Sequence, residues 1–193
     1  TLPAVNLTDE EQLGGEQYIA KVLNALGLDQ GTYHIEARFD RANNHWDIIE
    51  VNTRMGGSFI NDSVEIFTEG YSVMKLWINS LCCTDAQSKD NLVTLLSGLR
   101  ESRRRANNSV KNGTVFLCRY GEPGRTLEGI HFDGIDPAPL IFNTPMANGS
   151  KLPYSERGIF ILNVLWKVGV DTIASDLVTL PELLDEYLVV DYS

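Results

Sequence analysis

Long apolar runs are missing from this chain: none reaches about 18 residues, the length a helix needs to cross a bilayer, so no membrane span is expected. Cysteine is scarce as well. The three present are Cys82, Cys83 and Cys118. Adjacent cysteines rarely bridge each other and an odd total leaves one over, so a reduced, cytoplasmic setting is expected rather than a disulfide framework. No C-x-x-C pair and no Cys/His cluster with zinc spacing occurs. Basic charge is in deficit: 16 Lys and Arg stand against 26 Asp and Glu, for a net charge of −10. That balance argues against non-specific binding to nucleic acid or to an anionic membrane. The opening TLPAVNLTDEEQ is polar and acidic, unlike a signal peptide, and without an initiator Met it reads as an internal starting point. The sequons at Asn6, Asn61 and Asn112 lack a secretory signal to go with them and read as chance. Repeats and low-complexity tracts are absent too.

What is present suits a soluble globular chain. Of 193 residues, 43% are hydrophobic, enough for one good core or two small ones. The most informative stretch is 31–61, GTYHIEARFDRANNHWDIIEVNTRMGGSFIN. Two runs of strand character, 33–39 and 46–53, flank the polar segment 40–45, which predicts a β-hairpin. Side chains alternate faces along a strand. His34, Glu36 and Arg38 then share one face, opposite Tyr33, Ile35, Ala37 and Phe39. In the second run Ile48, Glu50, Asn52 and Arg54 share a face, opposite Ile49, Val51 and Thr53. With the polar faces aligned, Glu36, Glu50 and Asn52 converge, and Arg54 ends the row just before Gly56 and Gly57. Two carboxylates and an amide oxygen are hard donors suited to Mg²⁺, which leaves its other positions to water and phosphate. The planar fork of an arginine matches a phosphoryl group, and a Gly-Gly pair lets backbone N–H groups approach an anion. The stretch reads as a site for a metal–nucleotide triphosphate. The plainer alternative is one solvated face of a hairpin. Against it, Glu50 and Asn52 are embedded in strongly apolar, β-prone sequence, where unpaired charge is disfavoured.

The composite Gly31-Thr-Tyr-His34-Ile-Glu36, then Ile49-Glu50-Val51-Asn52-Thr-Arg54-Met-Gly56-Gly57, then Ile60-Asn61 resembles the signature of the ATP-grasp enzymes, with the two glutamates at a spacing of fourteen. The resemblance implies that Glu36, Glu50 and Asn52 bind the Mg²⁺ (or Mn²⁺) ions bridging the ATP phosphates. It implies that Arg54 contacts the transferred phosphoryl group and the carboxylate receiving it, and that Gly57 approaches the reacting centre through its backbone. His34 lies inside the motif but is assigned no catalytic role; a structural histidine is expected. The resemblance covers about residues 14–68 closely and 114–190 only faintly.

Around this stretch, a helix is predicted over 7–26. It starts from the capping box Thr8-Asp9-Glu10-Glu11, presents Tyr18, Ile19, Val22, Leu23 and Leu26 on one face, and stops at Gly27. A helical stretch over 61–82 is interrupted by Gly70. There Asp62 and Glu65 complement the helix N-terminus, and Glu65 reads as a surface acid rather than a third metal carboxylate. Residues 84–90 read as a linker, 91–105 as a helix ending in Arg103, Arg104 and Arg105, and 106–113 as a loop. Beyond it, 115–120 and 126–132 read as a second hairpin, 140–145 as a short strand and 147–150 as a turn. The run 158–166 reads as a buried central strand, and 172–188 as a final helix that Pro181 breaks or restarts.

The expected fold class is α+β: the second lobe of an ATP-grasp fold, an antiparallel sheet with helices, over 1–110, followed by a small α+β C-terminal subdomain over 111–193. Nothing before Leu7 supplies the lysines and adenine-reading hinge that the family carries in earlier lobes. The N-terminal lobes of the same enzyme are therefore expected partners, and the 193 residues alone are expected to be inactive. The implied reaction of the parent enzyme activates a small carboxylate with ATP as an acyl phosphate and couples it to an amine, forming an amide or peptide bond. Three alternatives stay open. They are a carboxylase or purine-biosynthesis-type ligase of the same family, a non-catalytic binding or dimerisation module, and nucleic-acid binding through Arg103–Arg105. The basic cluster is more simply a solvated helix C-terminus. The substrates and a homodimeric state are not legible in the sequence.

Overall fold

The computed structural model describes residues 1–28, 31–109, 112–156 and 158–193; the side chains of 102–109 lie outside the described set, and with them the Arg103–Arg105 cluster. Among the described residues there are five helices and eight strands, and every strand pairing is antiparallel. The chain divides into two compact units, Ala4–Ser109 and Thr1–Pro3 with Val110–Ser193. No helix among the described residues is long and apolar enough to cross a membrane.

The unit Ala4–Ser109 is built on a hairpin backed by a helix. Helix α1 (Asp9–Ala25) starts at a complete capping box: the Thr8 hydroxyl accepts from the Glu11 N–H and the Glu11 carboxylate accepts from the Thr8 N–H. It ends as Gly27 takes φ +68°. Strands β1 (His34–Asp40) and β2 (His45–Asn52) follow, closed by a turn in which the Asp40 carboxylate accepts from the backbone of Ala42 and Asn43 and from the Asn43 amide. Helices α2 (Ile60–Phe67) and α3 (Val73–Leu81) are separate elements, divided by the positive φ values of Glu69 and Gly70. Helix α4 (Ala86–Ser109) is longer than the sequence suggests. It takes in most of the expected linker, because Asp85 and Ser88 exchange backbone and side-chain hydrogen bonds that start the helix early, and it absorbs the first part of the expected loop 106–113.

Two antiparallel sheets make up the other unit. In one, β7 (Phe160–Gly169) runs between β3 (Asn112–Tyr120) and β5 (Ile141–Asn143). In the other, β4 (Thr126–His131) runs between β6 (Ser150–Lys151) and β8 (Val189–Tyr192). The segments 115–120 and 126–132 therefore do not form the expected hairpin. β3 pairs with β7 and β4 with β6 and β8. Gly121, just past β3, still donates its N–H to the Ile159 carbonyl, and its α-carbon lies against Leu152 and Ile161; the chain turns beyond it, where Gly124 takes φ +83°. The apolar run of β7 is the buried central strand expected, with Ile161, Leu162, Val164, Leu165 and Trp166 all buried. Helix α5 (Ile173–Tyr187) is continuous through Pro181, contrary to the expected break. Burial of Ile173, Leu180 and Leu184 in one core with Val115, Leu162 and Trp166 offsets the backbone bond that proline lacks.

Candidate functional site

The hairpin brings the two predicted carboxylates together. Glu36 pairs directly with Glu50 across the strands, and His34 with Asn52 one step along the same row. Residues directly opposite have Cβ atoms about 4.5–5.5 Å apart, so the two carboxyl groups share one patch of surface. Both glutamates are exposed and Asn52 is half-buried.

A β-bulge beside that pair makes the arrangement compatible with a core. From His34 to Glu36 the register matches His34 to Asn52, Ile35 to Val51 and Glu36 to Glu50; from Ala37 it slips by one, matching Ala37 to Ile48, Arg38 to Asp47 and Phe39 to Trp46. Without the slip Phe39 would face Asp47 and Ile48 would face Arg38, because a one-residue shift exchanges the two faces. With it, Phe39 packs on Trp46 at 5.2 Å between ring centroids and Arg38 pairs with Asp47 at 3.2 Å. The expected grouping of Ile48 with Glu50 and Asn52 is thus corrected: Ile48 lies on the Ala37–Phe39 face. Ile49 is the extra residue of the bulge and is 65% exposed.

Helix α1 fixes the hairpin from the Phe39–Trp46 face. Gly15 is buried because Trp46 lies on it; a Cβ built there would sit 2.7 Å from the indole ring. The Arg41 guanidinium grips Glu11 through two hydrogen bonds of 2.8 and 2.9 Å and also donates to the Asn6 carbonyl. Hydrogen bonding from Arg41, then from the Thr8 backbone, lowers the Glu11 carboxyl to a pKa of about 2. An open cleft of about 620 Å³ lies on this side, lined by Glu10, Tyr18, Phe39 and Trp46 among others and by none of the predicted site residues.

Beyond β2, Arg54 is exposed and its guanidinium donates to the neighbouring Met55 carbonyl at 2.9 Å. The space over the Gly57 α-carbon is open. Gly56 is the crowded one of the pair: a Cβ there would overlap Ile60 and lie 3.1 Å from Cδ2 of His34. Ser58 and Phe59 follow with φ of 51° and 62°, a left-handed pair that turns the chain into α2. Asn61 is a connector: its side-chain oxygen accepts from the Ser72 hydroxyl at 3.0 Å and from the Met74 N–H at 2.9 Å, tying α2 to the start of α3. His34 is part of the same assembly, with a buried Nδ1 that has no hydrogen-bond partner among the described residues.

The donor set fits a hard cation shared with phosphate. Mg²⁺ takes one or two carboxylates and keeps several positions for water and phosphate oxygens. Glu36 and Glu50 supply the two carboxylates from one exposed face, and the half-buried Asn52 lies on the same row beside them. No group of three or more His, Cys, Asp and Glu side chains gathers among the described residues.

No family model and no curated protein matches the sequence. Among solved structures, the chain is similar to a crystal structure of an L-amino acid ligase from Bacillus licheniformis, with a TM-score of 0.68 and 21% identity over 99% of this chain and 43% of that one. At that identity the likeness shows the fold: a mixed helical and antiparallel-sheet architecture, of the α+β class the sequence led us to expect, matching part of that L-amino acid ligase structure. The chain spans 43% of the length of that ligase.

Proposed function

We propose that this chain is the metal- and phosphate-holding part of an ATP-dependent carboxylate–amine ligase, and that the other lobes of the same enzyme complete the nucleotide site. The single observation that carries the reading is the cross-strand pairing of Glu36 with Glu50 on an exposed face beside Asn52. Like charges directly opposite on a sheet oppose each other, and a bulge next to them preserves the pairing against the register of the rest of the hairpin. A divalent cation removes that conflict. The shared fold with an L-amino acid ligase points the same way.

In this reading Glu36, Glu50 and Asn52 would hold Mg²⁺ or Mn²⁺, which would supply charge neutralisation for the phosphates of ATP. The Arg54 guanidinium leaves the Met55 carbonyl and pairs with the phosphoryl group being transferred, where its planar fork matches the oxygens. The open backbone at Gly57 admits that group closely. A substrate carboxylate oxygen attacks the γ-phosphorus, ADP leaves, and an amine displaces phosphate from the acyl phosphate to give the amide. Small carboxylate and amine substrates of the amino-acid kind fit this chemistry. The three free cysteines suit a reducing, cytoplasmic setting.

The test is Mg²⁺-dependent ADP release from ATP by the full-length protein with mixed L-amino acids as acceptors. Glu50→Gln abolishes turnover with the fold intact. Turnover unchanged in Glu50→Gln overturns the enzyme reading in favour of a binding module.

A further inference from the structure

We propose that His34 is a positioning residue for Asn52: when the Glu36–Glu50–Asn52 face holds a divalent cation, the Asn52 side-chain amide donates a hydrogen bond to Nδ1 of His34, and its carbonyl oxygen is thereby turned toward the cation. This inference rests on the metal-site reading above.

Three observations converge on it. Nδ1 of His34 is buried and has no partner among the described residues, whereas buried polar atoms are nearly always hydrogen-bonded. A ring nitrogen left over in this way fits a bond made in another state of the site. The opposite edge of the same ring faces Gly56: Cδ2 lies so close that a Cβ there would come within 3.1 Å of it. Nδ1, on the other edge of the ring, is turned away from the Gly56 turn. Finally, the residue directly across the strands from His34 is Asn52, the one candidate ligand that is an amide. Opposed Cβ atoms about 4.5–5.5 Å apart put the Asn52 nitrogen within reach of the ring after a side-chain rotation.

The chemistry explains why Asn52 needs such help and the glutamates do not. The two oxygens of a carboxylate are equivalent, so either serves a cation. An amide presents an oxygen on one side and an NH₂ donor on the other, and only the oxygen binds a metal. Tying the NH₂ to an acceptor fixes which atom faces the ion, as outer-shell partners do for metal ligands generally.

The experiment is a Mn²⁺ titration of the full chain by electron paramagnetic resonance in a double-mutant cycle. His34→Leu is measured in the Asn52 background and again with Asn52→Asp, whose carboxylate has no donor to be tied. The expected result is about ten-fold weaker Mn²⁺ binding in the first background and less than about two-fold in the second. Equal weakening in both backgrounds makes His34 a packing residue only and overturns the inference, as does no weakening in either. Glu50→Gln separates the two levels. If it loses Mn²⁺ while His34→Leu keeps it, the inference fails and the metal site stands; if Glu50→Gln binds Mn²⁺ like the parent, the metal-site reading fails first. Should His34→Leu not fold, His34→Gln decides through the same comparison, since its amide falls at the position of Nε2 and not of Nδ1.

Discussion

Replacing Glu50 by Gln should stabilise this protein without metal and make it the less stable form with metal. The two carboxylates of the Glu36–Glu50 pair are opposed across the strands on an exposed face. At a separation of about 5 Å in a water-like dielectric their repulsion is about 0.8 kcal/mol. Screening at physiological salt, with a Debye length of about 8 Å, reduces this to about 0.4 kcal/mol. For a unit of this size that raises the unfolding midpoint by about 2 °C when Glu50→Gln is melted in a chelator. Adding Mg²⁺ to ten times its dissociation constant stabilises the parent by about 1.4 kcal/mol, or about 6 °C, and leaves Glu50→Gln nearly where it was. The order of the two proteins therefore reverses. The assay is calorimetry or a circular-dichroism melt in chelator and in a Mg²⁺ series. A lower midpoint for Glu50→Gln in chelator, or a full Mg²⁺ response retained by it, refutes the reasoning.

Other perturbations test the frame that holds this pair. Gly15→Ala drives a methyl into the Trp46 ring; overpacking of about 1–3 kcal/mol exceeds the helix-propensity gain of about 1 kcal/mol, so urea unfolding shows a net loss and a less stable hairpin. Gly121→Ala presses on Leu152 and Ile161 in the second core and lowers stability by about 1–3 kcal/mol, read from the same titration. The Glu11 carboxyl titrates at about 2 because Arg41 and the Thr8 backbone hold its charged form. A depressed folded-state pKa contributes stability above the ordinary carboxylate value of about 4.5 and loses it as pH falls toward 2. Glu11→Gln is thus less stable than the parent at pH 7, and urea midpoints of the two converge as pH drops through that window. Burial raises the Cys118 thiol above its usual range, against a smaller opposing pull from Arg119, while Cys82 is exposed. Ellman's reagent at pH 8 modifies Cys82 well before Cys118.

Much of this architecture was legible because local signals agreed with it. The Thr8–Glu11 capping box, the stop at Gly27, the alternation of β1 and the apolar run of β7 each specify their own element without help from distant residues. The carboxylate pair was legible for the same reason: Glu36 and Glu50 fall on compatible positions of neighbouring strands. The bulge was not, because it follows from two halves of one hairpin requiring different registers, a conflict visible only once Phe39 and Trp46 are known to share the face against α1. The sheet partners of β3 and β4 are long-range choices. The turn 121–124 suggests a hairpin, and only the pairing of β3 with β7, some forty residues on, shows that the two segments enter different sheets. Strand β8 was missed because four residues after a helix carry almost no periodicity. The roles of Gly15 under Trp46 and of Asn61 between α2 and α3 depend on contacts that spacing does not encode, although a Gly-Gly pair inside a helix is a signal of close approach.

The most direct measurement of the central claim is the anomalous difference map of crystals grown with Mn²⁺ and a non-hydrolysable ATP analogue. A peak within about 2.3 Å of carboxylate oxygens from both Glu36 and Glu50, with the Asn52 oxygen beside it, is the predicted result. A Mn²⁺ peak that touches neither carboxylate while nucleotide is bound contradicts it.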